Sequence, residues 1–174
     1  LVLMGHSLGG LVAARLVSLN LRQVDGLVLS SPALDAGMNA FQKLLVSVLP
    51  RLAPDLRVGN GLNAQYLSHD AGVVQAYRDD PMVHDRISAR LARFIADAGP
   101  AVLASAPQWR VPTLLLYAGA DHLVNPEGSR AFAAAAPPGV VSAHCFEGLY
   151  HEIFNEVDRE AVFERLKGWL DARF

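Results

Sequence analysis

The sequence predicts an α/β protein in which a parallel β-sheet is covered by helices. Short apolar runs alternate along the chain with longer helical segments, which is the pattern of consecutive strand–helix units. A glycine-rich hexapeptide, GHSLGG at 5–10, lies between the first apolar run and the first helix. Hydrophobic residues make up 52% and charged residues 18% of the 174 residues. The chain therefore has enough apolar side chains to fold, and intrinsic disorder is excluded as its main state.

Four apolar runs are predicted to form the strands of the sheet. They are residues 1–4, 26–30, 113–118 and 140–146. A first helix is predicted over residues 8–21, and a second from Asn125, which can cap a helix that starts at Pro126, to about residue 136. Asp158 is predicted to cap the last helix.

Residues 36–110 interrupt this alternation with helical patterns and no convincing strand. An apolar stripe runs from Phe41 through Leu45 and Leu49, and Pro50 should bend or end that helix. A further helix is predicted over residues 87–103. The chain is accordingly divided into a core segment 1–35, an inserted helical segment 36–106 and a second core segment 107–174.

Composition and charge exclude several classes of function. The 15 basic and 17 acidic residues give a net charge of −2, so nothing favours nucleic acid as a partner. The single cysteine excludes an internal disulfide and any multi-thiolate metal site. No histidine spacing resembles a zinc site, and we expect neither a metal nor an organic cofactor.

The GHSLGG hexapeptide fits the pattern Gly-x-Ser-x-Gly of a nucleophile elbow. A tight turn would push the Ser7 hydroxyl out over the sheet edge, and side chains at Gly5 and Gly9 would collide with neighbouring backbone. The N–H of Leu8, at the start of the next helix, is then placed to bind an oxyanion. The alternative is a glycine-rich turn with no chemistry.

A serine nucleophile needs a general base and a carboxylate that orients the base. In this architecture the partners follow in the order Ser, Asp, His, which selects Asp121 after the third run and His151 after the fourth. His122 is the rival base, but it shares a short loop with Asp121 and can hardly be oriented by that carboxylate while also reaching Ser7. His6 is predicted to pack inside the elbow.

Four stretches of the sequence resemble the alpha/beta hydrolases, specifically the branch of monoacylglycerol lipases and lysophospholipases (serine aminopeptidase-type hydrolases). They are GHSLGG at 5–10, YRDDPMVHDRISAR at 77–90, GADHLVNPEGSR at 119–130 and GLYHEIFNE at 148–156. The resemblance implies the C-terminal part of an alpha/beta-hydrolase fold with Ser7, Asp121 and His151 as the catalytic triad. It also implies that residues 36–106 are a helical cap over an acyl pocket.

The resemblance further implies an upstream half that supplies more strands and a second oxyanion donor. The chain begins within an apolar run, so we expect preceding polypeptide of the same protein beside Leu1–Met4. Phe41, Leu45 and Leu49 are candidates for acyl binding or for transient contact with a membrane surface, and ordinary packing of the cap is an equal alternative. Nearly all basic residues are Arg, which favours a bacterial source, and we expect a cytoplasmic or membrane-peripheral location.

These observations predict a serine hydrolase that cleaves a monoacylglycerol-like single-chain lipid ester through an acyl-enzyme. A lysophospholipase or a general short-chain carboxylesterase is the alternative within the same class of enzyme. A non-catalytic protein that binds a small hydrophobic ligand is the alternative of another class. Acyl-chain length, head group and oligomeric state leave no signal in the sequence.

Overall fold

The computed structural model describes residues 1–38 and 40–174, without the side chains of Ala40, Phe41 and Lys43. In this part of the chain the strands are β1 (Val2–His6), β2 (Gly26–Ser30), β3 (Arg57–Gly59), β4 (Arg86–Ser88), β5 (Thr113–Ala118) and β6 (Val141–Phe146). The helices are α1 (Ser7–Ser18), α2 (Ala40–Leu52), α3 (Ala71–Asp79), α4 (Ala89–Ser105), α5 (Pro126–Ala135) and α6 (Glu160–Asp171). Short 3₁₀ turns cover Ala64–Tyr66, Ala106–Gln108 and Ile153–Asn155. None of the described helices has the length and apolar character needed to cross a bilayer.

The main sheet has the strand order β1-β2-β5-β6, and every neighbouring pair is parallel. This confirms the predicted α/β class. Because the strands are parallel and in close register, with His6 beside Ser30 and Ser30 beside Leu116, their carboxyl ends meet at one edge. The loops after β1, β5 and β6 therefore open on the same side of the sheet.

The sheet has an apolar core on each face. Leu27, Leu29 and Leu115 point to one face, where they pack with residues of α1, α4 and α5. Val28, Leu114 and Leu116 point to the other, which α6 covers with Val162 and Trp169. β2 and β5 are buried along their whole length, which explains why both strands are continuous apolar runs without alternation.

The prediction of no strand between residues 36 and 110 is wrong. β3 and β4 pair antiparallel, with Val58 opposite Ile87. The predicted start of the helix at residue 87 is therefore two residues early, because Ser88 caps α4 by accepting a hydrogen bond from the N–H of Leu91. Pro50 lies in the last turn of α2, which continues to Leu52.

The predicted cap of α5 is confirmed, and the predicted cap of α6 is wrong. Asn125 caps α5 ahead of Pro126, and its side chain accepts a hydrogen bond from the N–H of Glu127. Asp158 does not cap α6. The helix begins at Glu160 and is preceded by Arg159 without a side-chain cap, and the carbonyl of Arg159 accepts hydrogen bonds from the N–H groups of Val162 and Phe163.

Candidate active site

Ser7 lies at the sharp turn between β1 and α1, as the elbow pattern predicts. Its backbone has φ of 52°, a left-handed conformation that is uncommon for residues other than glycine and is found where function requires strain. The turn places the Ser7 hydroxyl at the carboxyl edge of the sheet, at the start of α1.

Two glycines, Gly5 and Gly10, make this turn possible. The sequence predicted Gly5 correctly but named Gly9 in place of Gly10. A Cβ atom on Gly5 would lie 2.4 Å from the carbonyl oxygen of Gly9, so the predicted collision at Gly5 is present. Apart from its chain neighbours and the adjacent backbone of α1, a Cβ on Gly9 meets no described atom within 4 Å, and the predicted collision there is wrong. Gly10 is the crowded position instead, since its Cβ would lie 2.9 Å from the Cβ of Pro32, in the loop after β2.

The structure brings Ser7, His151 and Asp121 together, although they come from three different loops. His151 Nε2 lies 2.8 Å from Ser7 Oγ, and His151 Nδ1 lies 2.7 Å from Asp121 Oδ2. Both contacts are within hydrogen-bonding range. One imidazole therefore bridges a hydroxyl and a carboxylate, which is the arrangement that lets a histidine take the proton of a serine nucleophile.

The Asp121 carboxylate is held in place by backbone donors. Its Oδ1 accepts hydrogen bonds from the N–H groups of Leu123 and Val124, at 2.8 and 2.9 Å, which leaves Oδ2 for His151. The side chains of Asp121 and His151 are 3% and 5% exposed. This interaction is shielded from water, and the carboxylate can fix both the tautomer and the orientation of the ring.

The other nearby histidines occupy different environments. His122 lies against aromatic rings, with ring centroids 4.4 Å from Tyr66 and 5.6 Å from Tyr150. His6 Nδ1 lies 3.0 Å from Ser30 Oγ, and its ring centroid is 4.8 Å from that of His151. Burial, and next the charge that His151 can carry, hold the pKa of His6 below its ordinary value of 6.5. His6 is therefore a neutral packing partner of His151 at neutral pH.

The first turn of α1 has the properties expected of an anion-binding helix end. It contains no acidic residue and no side-chain cap, so its amides, among them that of Leu8, have no partner supplied by a capping side chain. Amides in this position, together with the positive end of the helix dipole, favour a developing oxyanion. The role of Leu8 stays a prediction.

The predicted apolar contacts in α2 lie beside cavities between α2 and α4. Leu45 and Leu49 line one cavity of about 470 Å³, with Val58 of β3 and Ile95 of α4. An adjoining cavity of about 410 Å³ is lined by Leu34, Val46 and Leu103 among others. Among the described residues, no member of the Ser–His–Asp set lines either cavity. The side chain of Phe41 is outside the described residues.

Sequence reasoning missed a buried carboxylate beside the histidine loop. Glu156 is 1% exposed and accepts hydrogen bonds from Tyr150 N, His69 N and Val157 N. His69 contacts it through Nδ1. In the described residues, no cluster of three or more His, Cys, Asp or Glu side chains could hold a metal ion.

Known families and proteins resemble this chain in sequence and in fold. Residues 1–158 match the family model Hydrolase_4, described as serine aminopeptidase, S33. A monoacylglycerol lipase of Mycolicibacterium smegmatis is 32% identical over 97% of this chain and 61% of its own length. The phospholipase YtpA of Bacillus subtilis is 33% identical over 97% of this chain and 67% of its own length. The chain thus spans about three-fifths to two-thirds of these relatives.

Solved structures with the same fold include a monoacylglycerol lipase. The crystal structure of the Paleococcus ferrophilus monoacylglycerol lipase superposes with a TM-score of 0.94 at 35% sequence identity, over 99% of this chain and 68% of that one. A soluble variant of monoglyceride lipase from Saccharomyces cerevisiae, in complex with a substrate analogue, superposes with a TM-score of 0.85 at 22% identity. It covers 98% of this chain and 61% of that one, and at this identity it supports the fold alone.

Proposed function

The chain belongs to the Hydrolase_4 (serine aminopeptidase, S33) family, and from this premise we propose that the complete protein is a serine hydrolase acting on a monoacylglycerol or a similar single-chain lipid ester. The observation that carries the proposal is the pair of contacts made by His151, at 2.8 Å to Ser7 Oγ and 2.7 Å to Asp121 Oδ2. The relatives named monoacylglycerol lipase support the substrate class.

The proposed reaction proceeds in two stages. In the first, Ser7 Oγ attacks the ester carbonyl while His151 Nε2 takes the hydroxyl proton, and Asp121 stabilises the imidazolium that forms. The carbonyl oxygen becomes an oxyanion at the start of α1, where the N–H of Leu8 binds it. His151 then gives its proton to the leaving alcohol, and an acyl-Ser7 ester is left.

In the second stage water replaces the alcohol. His151 takes a proton from the water, whose oxygen attacks the acyl carbonyl, and a second tetrahedral intermediate forms at the same oxyanion position. Its collapse breaks the bond between the acyl carbon and Ser7 Oγ, and the proton on His151 returns to Ser7. The fatty acid is released, and every step uses only side chains, backbone amides and water.

The helical segment between β2 and β5 supports a lipid rather than a small polar ester. Leu45 and Leu49 line an apolar cavity of about 470 Å³, which is within the range of small-molecule sites. We propose that acyl chains bind between α2 and α4. Each methylene taken from water would contribute about 0.8 kcal/mol, so long chains would bind more tightly than short ones.

The outer surface of α2 supports a transient contact with a lipid surface. Among its described side chains, Leu52 is 81% exposed and Leu44 is 59% exposed. Such a half-apolar helix can rest in the interface of a bilayer. In a sedimentation assay with phosphatidylcholine vesicles, the wild-type protein should pellet with the vesicles, and a Leu44→Glu/Leu52→Glu variant should stay in the supernatant. Equal retention of the two proteins would contradict the proposed contact.

A lysophospholipase activity is the second candidate, because the relative from Bacillus subtilis is named a phospholipase. The two activities differ only in the alcohol that leaves. Comparing kcat/KM on a monoacylglycerol and on a lysophosphatidylcholine with the same acyl chain decides between them. Preference for a water-soluble short-chain ester over both would point to a general carboxylesterase.

Hydrolysis of a monoacylglycerol by variants of the complete protein tests the proposal. Ser7→Ala and His151→Ala should each lower kcat by a factor on the order of 10⁴ while the fold is retained. His122→Ala should keep most of the activity, because that ring packs against Tyr66 and Tyr150. If His151→Ala retained turnover while His122→Ala abolished it, the assignment of the base would be wrong. An inactive wild-type protein that still binds the lipid would instead favour the non-catalytic alternative.

A further inference from the structure

We infer that Glu156 and His69 are positioning residues. They fix the loop that carries His151 against residues 67–69, the segment that precedes α3. This inference rests on the proposed hydrolase function. It concerns how the geometry of the base is maintained, and neither residue contacts Ser7 or the reacting ester.

The Glu156 carboxylate joins two separate segments of the chain, the histidine loop and Ser68–His69. Oε1 lies 2.7 Å from Tyr150 N and 2.7 Å from His69 Nδ1. Oε2 accepts from His69 N at 3.0 Å and from Val157 N at 3.2 Å, with the Ser68 hydroxyl at 3.3 Å. A single side chain therefore links the histidine loop to the segment before α3, and it also accepts from the N–H of its own neighbour Val157.

Both neighbours of His151 along the chain are held by this assembly. Tyr150 donates its N–H to Glu156, and Glu152 donates its N–H to the carbonyl of Leu67 at 2.8 Å. The backbone before His151 is thus bound to the Glu156 carboxylate, which also binds His69. The backbone after His151 is bound to Leu67. His69 adds a further contact, since its ring stacks on that of Tyr150 with centroids 3.7 Å apart and an interplanar angle of 23°.

The carboxylate is a charged anchor within the protein. Glu156 is 1% exposed, and burial, the largest single influence, raises its pKa. The donors from Tyr150, His69 and Val157 together outweigh burial and hold the pKa below the ordinary value of 4.5. Glu156 is therefore ionised at neutral pH, and its bonds to N–H donors are of the stronger, charge-assisted kind.

Loss of this anchor should affect the chemical step more than substrate binding. A displacement of about 1 Å of a catalytic group costs roughly 100-fold in rate. The acyl cavity between α2 and α4 does not include Glu156 or His69 in its lining, so the contacts that hold the acyl chain remain. The inference therefore predicts a fall in kcat with an almost unchanged KM.

The experiment compares the complete natural protein with Glu156→Gln and His69→Phe. Glutamine keeps the size but loses the charge and directs an amide N–H₂ at backbone donors. Phenylalanine keeps the stack on Tyr150 but removes the donor to Oε1. Kinetics on a soluble ester are measured with the melting temperature. The proton resonance of His151 Nδ1–H, which we expect far downfield because of the 2.7 Å contact with Asp121 Oδ2, is recorded by NMR.

Thr113→Val serves as the matched control for a purely structural loss. Thr113 is fully buried and its hydroxyl bonds to Trp109 Nε1 and to the carbonyl of Val111, each at 2.8 Å. It lies at the opposite end of β5 from Asp121. This variant should lower the melting temperature while leaving kcat and the downfield resonance as in the wild type.

We expect Glu156→Gln to lower kcat by between about tenfold and about 100-fold, with KM nearly unchanged and the downfield resonance shifted or lost. His69→Phe should give a smaller change of the same kind. Wild-type kcat and resonance in Glu156→Gln would overturn the inference, whatever its melting temperature. If Glu156→Gln did not fold, His69→Phe would decide by the same readouts. An inactive wild-type protein would contradict the proposed function alone, because the resonance reports the positioning of His151 without turnover.

Discussion

Replacing Gly5 with alanine tests whether the tight elbow sets the position of Ser7. Gly5 lies in β1 and faces the first turn of α1. The added Cβ would lie 2.4 Å from the Gly9 carbonyl oxygen, 2.7 Å from the Gly9 carbonyl carbon and 2.8 Å from Gly10 Cα. All three are backbone atoms of the elbow, so no flexible side chain can move aside to relieve the contact.

The size of the effect follows from these distances. Real Cβ atoms essentially never approach another heavy atom closer than 3.0 Å, so β1 and α1 must separate by at least 3.0 − 2.4 = 0.6 Å. Ser7 is the first residue of α1 and would move with that helix, away from the 2.8 Å contact with His151. Since a misplacement of about 1 Å costs roughly 100-fold, we expect kcat to fall by on the order of tenfold. Overpacking should also cost about 1–3 kcal/mol in the free energy of unfolding.

The assay is ester hydrolysis under saturating substrate, with urea unfolding of the same samples. Gly168→Ala is the control, because Gly168 is in α6 and a Cβ there meets no described atom within 4 Å apart from its chain neighbours and the adjacent helix backbone. It should leave kcat unchanged and stabilise the protein by about 0.5–1 kcal/mol. Wild-type kcat in Gly5→Ala would refute the argument that the close approach of β1 and α1 positions the nucleophile.

Three further predictions concern the triad, the acyl cavity and pH. Asp121→Asn should lower kcat by on the order of 10⁴-fold with little change in the fold, and a loss of less than tenfold in ester hydrolysis would argue against its role. Leu45→Asp or Leu49→Asp should reduce kcat/KM far more for long-chain than for short-chain esters, and equal losses would mean that these side chains only pack the cap. Because the pKa of folded His6 lies below 6.5, the unfolded chain binds its proton more readily, so the free energy of unfolding should fall as the pH drops below 6.5. Urea titrations at several pH values should show that the free energy of unfolding falls less steeply with decreasing pH in His6→Asn than in the wild type. An identical slope in the two proteins would contradict the assignment of this pH dependence to His6.

The strands of the main sheet could be predicted because their signals are local. Gly26–Ser30 and Thr113–Ala118 were predicted with the bounds that the structure has. Each is a short, fully buried apolar run that ends in polar or glycine-containing loops, and such runs are legible without knowledge of the tertiary contacts. The proximity of Ser7, Asp121 and His151 was predictable for a related reason, since parallel strands bring their carboxyl ends to one edge.

The paired strands β3 and β4 could not be predicted in the same way. Each has three residues, and Arg57 and Arg86 at their starts are exposed. The stability of such a pair comes from contacts between segments about thirty residues apart rather than from either sequence. The crowding of Gly10 by Pro32 is hidden for the same reason, because it depends on how the loop after β2 passes the elbow.

The role of Glu156 illustrates this limit most clearly. In the sequence it is one acidic residue of GLYHEIFNE, with nothing to distinguish it from Glu152. Only the folded chain brings His69 to it, across 87 positions. Burial of a carboxylate then requires donors, and one of these donors is the N–H of Tyr150, next to His151 in the chain.

Covalent labelling of Ser7 tests the central claim most directly. The complete protein is treated with a fluorophosphonate, and the adduct is located by mass spectrometry of its peptides. The account predicts one adduct, on Ser7, that is absent in Ser7→Ala and forms far more slowly in His151→Ala, because His151 Nε2 lies 2.8 Å from the hydroxyl that must lose its proton. An adduct on another residue, or equal labelling rates in the wild type and His151→Ala, would contradict it.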